Sequence, residues 1–130
     1  MIFRLVVSGV PVPQGSLKHI GRGRLIPSNE KKLKVWREAI AEVAREFVTD
    51  GGFDLPAVVT VVFTIPRPPT VKRLAVTVPP DLDKLQRAVG DALSINAGLI
   101  KDDAQIIEWH ARKEYGDRGG AVIQVEFLEP

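Results

Sequence analysis

The 130-residue chain predicts an α+β fold, a mixed β-sheet with two main helices packed on it, in a single domain spanning residues 1–130. Three observations carry that expectation. Apolar residues alternate with polar ones in segments near both ends, and they recur at three and four residues in two central stretches. A chain of this length buries about two-thirds of its unfolded surface, which serves one core rather than two.

Residues 2–8 read as a strand, with Phe3, Leu5 and Val7 on one face and Arg4, Val6 and Ser8 on the other. Pro11, Pro13 and Gly15 then break it. The basic stretch 16–26 contains Gly21 and Gly23 and reads as a hairpin or loop, with a short strand at 24–26. After Pro27, Ser28 or Asn29 caps a helix whose stripe is Leu33, Trp36, Ile40, Val43 and Phe47, and Asp50, Gly51 and Gly52 end it.

Residues 57–65 are valine-rich on both faces, as in a central strand covered on both sides. Prolines 66, 68, 69, 79 and 80 bracket an irregular connector. The second helix starts at Asp81 and carries Leu82, Leu85, Val89 and Leu93 on one stripe. A turn at 98–103 precedes a strand in which Ile107, Trp109 and Ala111 alternate with Glu108, His110 and Arg112. A hairpin at 116–120 leads to the last strand, with Ala121, Ile123, Val125 and Phe127 inward.

Composition removes several functions. Without cysteine there is no disulfide scaffold, thiolate metal site or thiol nucleophile, and two histidines, His19 and His110, do not make a histidine-rich zinc site. Trp36 and Trp109 fall on apolar faces and are expected in the core, and His110 is expected at the surface opposite the Trp109 face. The longest apolar run, 56–65, is half a bilayer span, and the opening segment carries Arg4 without a basic leader, so a cytoplasmic location is expected. The net charge of +2 hides an asymmetry: Arg4, Lys18, Arg22, Arg24, Lys31, Lys32, Lys34 and Arg37 face only Glu30 in residues 1–37, while the remainder is acidic. A basic front end suits a polyanion, or a solvated surface.

The acidic residues concentrate at Asp81, Asp83 and Asp91 on the second helix and at Asp102 and Asp103 in the following turn. If the turn packs beside the helix N-terminus, three or four carboxylates converge, and hard oxygen donors suit Mg²⁺ or Mn²⁺. Each also has a structural reading. Asp81 is a good N-cap, Asp83 complements the helix dipole, Asp83, Arg87 and Asp91 form an i, i+4, i+8 ladder, and Asp102 and Asp103 suit a turn.

The run Pro80-Asp81-Leu82-Asp83-Lys84-Leu85, with Asp91-Ala92-Leu93 and then Gly98-Leu99-Ile100-Lys101-Asp102-Asp103-Ala104-Gln105, resembles the signature of RusA-type Holliday junction resolvases. The opening Gly9-Val10-Pro11-Val12-Pro13-Gln14-Gly15-Ser16 is similar to phage-type members, as is the Trp36-Arg37 helix after a basic loop. The resemblance implies a homodimeric, Mg²⁺-dependent endonuclease that binds four-way DNA junctions and nicks two opposed strands, in the cytoplasm or nucleoid of a host if phage-encoded. It implies catalytic aspartates at Asp81, Asp83 and Asp103, with Asp102 as a neighbouring metal ligand. Arg87 stands where the family has lysine and Lys84 where many members have asparagine, while Pro79 and Pro80 replace the basic residues often found ahead of the pair. The expected DNA contacts are Lys18, Arg22, Arg24, Lys31, Lys32, Lys34, Lys72, Arg73 and Lys84. Two other readings stand beside the nuclease: a junction-binding module without cleavage, and an interaction domain whose carboxylates only cap and solvate.

Overall fold

A computed structural model describes residues 1–15, 17–20, 24–27 and 30–129, the two short internal segments as backbone only. Its elements are β1 (Ile2–Ser8), β2 (Leu17–Ile20), β3 (Arg24–Pro27), α1 (Glu30–Ala44), β4 (Ala57–Pro66), α2 (Leu82–Asp91), β5 (Ile106–Gly116) and β6 (Gly120–Phe127). A 3-10 turn, Arg45–Phe47, follows α1, a π-helical turn, Ala92–Asn96, extends α2, and a second 3-10 turn, Asp103–Gln105, precedes β5.

Four strands form one mixed sheet in the order β1-β6-β4-β5. β4 and β5 are parallel, because the chain between them must cross over, and α2 lies on that crossover. The other two pairings are antiparallel. β2 and β3 pair with each other as a separate two-stranded ribbon. The architecture is the α+β arrangement expected, a mixed sheet carrying two helices.

The core lies between the sheet and the helices. Leu5, Val59, Val61, Phe63, Ile123 and Val125 meet Trp36 and Ile40 of α1 and Leu85 and Val89 of α2 in one buried cluster. Each such side chain contributes roughly 1.5–3 kcal/mol on full burial. That packing holds α2 in place despite Gly90 in its last turn, where glycine costs about 1 kcal/mol relative to alanine.

Three expectations change. Residues 116–120 do not close a hairpin, because β4 lies between β5 and β6 and pairs with both. β4 is central but not covered on both sides by helices: Ala57, Val59, Val61 and Phe63 are buried, whereas Val58, Thr60, Val62 and Thr64 are half-buried. Among the described residues, that second face of the sheet is shielded by the side chains of neighbouring strands, including Val122 in register with Val62 and Val6 in register with Val122. Ile107 does not share the inward row of Trp109 and Ala111. The register slips between Ala57 and Val58, which face Ile106 and Glu108, and this bulge leaves Ile107 63% exposed.

Candidate active site

α2 begins where the Asp81 carbonyl accepts the first helical hydrogen bond, from Leu85 N at 3.1 Å. Asp81 occupies the N-cap position with extended backbone, yet its side chain makes no capping hydrogen bond. Instead it pairs with Lys84 at 3.5 Å. Just ahead of it, Lys113 of β5 reaches across and donates to the carbonyls of Val78 (3.0 Å) and Pro80 (2.7 Å), fixing the entry to the helix. The remaining acids of the helix project from successive turns, Asp83 with Arg87 four residues on, and Asp91 four beyond that.

The turn carrying Asp102 and Asp103 is held by a capping box. Asp102 Oδ1 accepts from Ala104 N at 2.8 Å, while Gln105 Oε1 accepts from the N–H groups of Lys101 (2.8 Å) and Asp102 (3.1 Å). Gln105 Nε2 donates to the carbonyls of Phe53 (2.9 Å) and Leu55 (3.0 Å), so one amide ties the turn to the chain entering β4. The result is a turn whose next residue, Asp103, leans on α2. A β-carbon built on Gly90 would lie 3.5 Å from Asp103 Cβ, 3.8 Å from its Oδ2 and 3.8 Å from Trp109 Cζ2.

Between them lies a cavity of about 200 Å³ lined by Asp83, Gln86, Arg87, Gly90, Asp103, Ile106 and Trp109. The Asp103 carboxyl sits above the usual carboxylate range. Partial loss of water against the helix is the largest cause, followed by its hydrogen bond with Asp102 and the nearby charges of Asp91 and Asp102. Asp91 in turn accepts a hydrogen bond from the Gln14 amide, whose oxygen accepts from Arg37 at 3.4 Å. Arg37 also forks onto Asn96 Oδ1 at 2.9 and 2.6 Å. The Gln14 backbone N–H donates to Lys84 O at 3.0 Å, so the loop after β1 is strapped to both helices.

Of the residues singled out in the sequence, the fold brings Asp83, Arg87 and Asp103 to one cavity, with Asp102 beside it in the cap and Asp81 one turn away on Lys84. Lys31 and Lys32 line a different groove of about 440 Å³ with Val10, Val35 and Trp36, and Lys34 lies farther along α1 near Arg37, Glu38 and Asn96. Lys72 and Arg73 are exposed in the connector before α2. The side chains of Lys18, Arg22 and Arg24 lie outside the described residues. His110 is exposed, as expected, and paired with Glu108.

Sequence reasoning missed Gln14, Gly90, Gln105 and Lys113 and placed Trp109 in the core, whereas it is half-buried and lines the cavity. Only Gln105 had a local signal, standing three residues after Asp102 in capping-box spacing.

Among the described residues, no three Asp, Glu or His side chains gather as a ready-made metal cage. The donor set is still the right one for a hard divalent cation, which takes one or two carboxylates and keeps several waters. Asp83 and Asp103 supply two oxygen donors, and the crowding of negative charge on Asp103 favours a neighbouring cation.

An α+β scaffold presenting carboxylates and a guanidinium in one small cavity, in a chain whose N-terminal part is rich in basic residues, has the make-up of a hydrolase for phosphodiesters. The chain belongs to the endodeoxyribonuclease RusA family, whose model matches residues 8–126. That match runs from the strapping loop through β6 and so includes every residue lining the cavity. No curated protein matches the chain. No helix among the described residues is long and apolar enough to cross a membrane.

Proposed function

We propose that this endodeoxyribonuclease resolves four-way DNA junctions by paired nicks in opposed strands, acting as a Mg²⁺-dependent homodimer in the cytoplasm, each chain one catalytic domain. The observation that carries the reading is the shared cavity of Asp83, Asp103 and Arg87 in a chain of the RusA family.

In this reading Asp81, Asp83 and Asp103 are the catalytic carboxylates and would hold Mg²⁺, or Mn²⁺ in its place, with Asp102 as an auxiliary. Asp81 joins them by releasing Lys84, an exposed pair worth less than about 1 kcal/mol. When bound, the cation supplies an acidified water and stabilises charge on the leaving oxygen. The chain's own residues do the rest. Arg87 places a delocalised cation beside the phosphate, where charge builds on the non-bridging oxygens. Trp109 and Ile106 keep one wall apolar and so sharpen the electrostatics of the other. The capping box holds Asp103 at fixed depth against Gly90. Lys18, Arg22, Arg24, Lys31, Lys32, Lys34, Lys72, Arg73 and Lys84 meet phosphates away from the cut and make binding salt-sensitive. A two-fold dimer presents two such sites to symmetry-related strands.

The test is cleavage of an end-labelled four-way junction beside a duplex of matched sequence, with Mg²⁺ and with a chelator. Metal-dependent paired nicks in the junction support the reading. Salt-sensitive junction binding without products in either Mg²⁺ or Mn²⁺ identifies a binding module instead, and no binding at low salt removes both.

A further inference from the structure

Tyr115 of β5 carries two arginines on one ring. The Arg67 guanidinium lies 4.4 Å from the ring centroid and that of Arg73 lies 5.9 Å away. Arg73 Nε donates to the Tyr115 hydroxyl at 2.9 Å, and Arg67 donates to the Arg73 carbonyl. Arg67 N also bonds Gly116 O at 3.1 Å, which anchors this corner to the end of the strand. Two like charges are thus gathered on one half-buried ring, and among the described residues neither forms an ion pair with a carboxylate. Glu114, next to Tyr115, is engaged by Arg112 on the opposite face of the strand. Lys72 adds a third exposed cation to the same connector. Gathering cations costs repulsion unless an anion joins them, and the ring and hydrogen bonds hold the guanidinium planes ready for one.

The position of this corner says which anion. Trp109, Ala111, Lys113 and Tyr115 alternate along one face of β5, with Trp109 in the wall of the cavity and Lys113 gripping the entry to α2. Six residues of strand separate Trp109 from Tyr115, about 20 Å, which is roughly six base-pair steps along a duplex. We propose that Arg67 and Arg73, clamped on Tyr115, form a phosphate-binding platform for the backbone of a duplex arm about six base pairs from the cut. This rests on the nuclease reading above and extends it to a contact outside the cavity.

Binding is measured by fluorescence anisotropy on catalytically silent junctions, held in Ca²⁺ or chelator, with arms of about 15 or about 4 base pairs. The double variant Arg67→Gln/Arg73→Gln should weaken binding of the long-armed junction roughly tenfold and lower the slope of log Kd against log salt by about 2, since each phosphate contact contributes about 0.9. On short arms the variant and the unaltered protein should agree. Tyr115→Ala should reproduce part of the loss, and Tyr115→Phe, which keeps the ring, less of it. Arg4→Gln/Arg112→Gln removes the same charge from the helix-free face of the sheet and should change neither quantity. All these residues are at least partly exposed, and unchanged thermal unfolding checks that the variants fold. An unaltered long-arm affinity and slope in the double variant, with the parent protein still cutting junctions, overturns the platform alone. A parent protein that neither binds nor cuts junctions overturns the nuclease reading and the platform together.

Discussion

A β-carbon on Gly15 would collide with the Nη1 atom of Arg87, so the loop that leaves β1 runs directly over the guanidinium of the cavity. Gly15 also has φ of +99°, where side chains are disfavoured. Gly15→Ala should therefore shift Arg87 as well as cost about 1 kcal/mol of stability through backbone strain. Cleavage should fall further than stability accounts for. In a cycle with Arg87→Ala the two effects on rate should be strongly non-additive, and simple additivity would show that the loop does not set the arginine.

Asp81 separates capping from chemistry. Because its side chain makes no capping hydrogen bond, Asp81→Ala should change unfolding free energy by less than about 0.5 kcal/mol, not the ~1 kcal/mol lost with a true cap. Under the nuclease reading both Asp81→Ala and Asp81→Asn abolish cleavage while junction binding persists. Thermal unfolding and a gel assay on the same preparations decide it.

Asp103 should destabilise the metal-free protein at neutral pH. Its carboxyl is held above the usual range, so the folded state binds its proton more tightly than the unfolded chain does. The stability penalty is absent below the unfolded pKa, grows as pH rises through the folded value, and stays constant above it. In chelator, Asp103→Asn should unfold at a higher temperature than the parent at pH 7 and at the same temperature near pH 3. Adding Mg²⁺ should reverse the order, since only the parent gains from binding.

Gln14 bridges Asp91 and Arg37 through a part-buried amide. Gln14→Glu keeps the shape but sets a second carboxylate against Asp91. It should lose about 1–3 kcal/mol near neutral pH and recover much of it below pH 4, where carboxyls take up protons. Equal destabilisation at both pH values would show that shape rather than charge matters there.

The legible parts of this protein were those governed by local spacing. The stripes of α1 and α2 and the alternation in β1 and β6 follow from residues a few positions apart, whereas the acids at 81, 83 and 103 stand out through the resemblance to a family signature. Contacts between distant segments left no such trace. Gln14 meets Asp91 across 77 positions, and nothing around either residue announces the other. Trp109 read as core because it alternates with polar neighbours, and alternation specifies a face without saying whether that face ends in a cavity. Ile107 was misplaced for a related reason: a bulge is a slip in pairing, visible only once β4 lies alongside.

The order of strands has a consequence for how the enzyme comes into being. β6 is the last of the four sheet strands to leave the ribosome, yet it lies between β1 and β4 and pairs with both. Until it arrives, β1 has no neighbour in the sheet, and the loop that runs from β1 over Arg87 is held through its contacts with the helices and Gly119. A nascent chain that already carries all its aspartates therefore still lacks the strand that joins β1 to the rest of its sheet. Closure joins the chain's two ends, where Phe127 N donates to Met1 O at 2.8 Å. Such long-range pairing makes folding slow relative to helical domains.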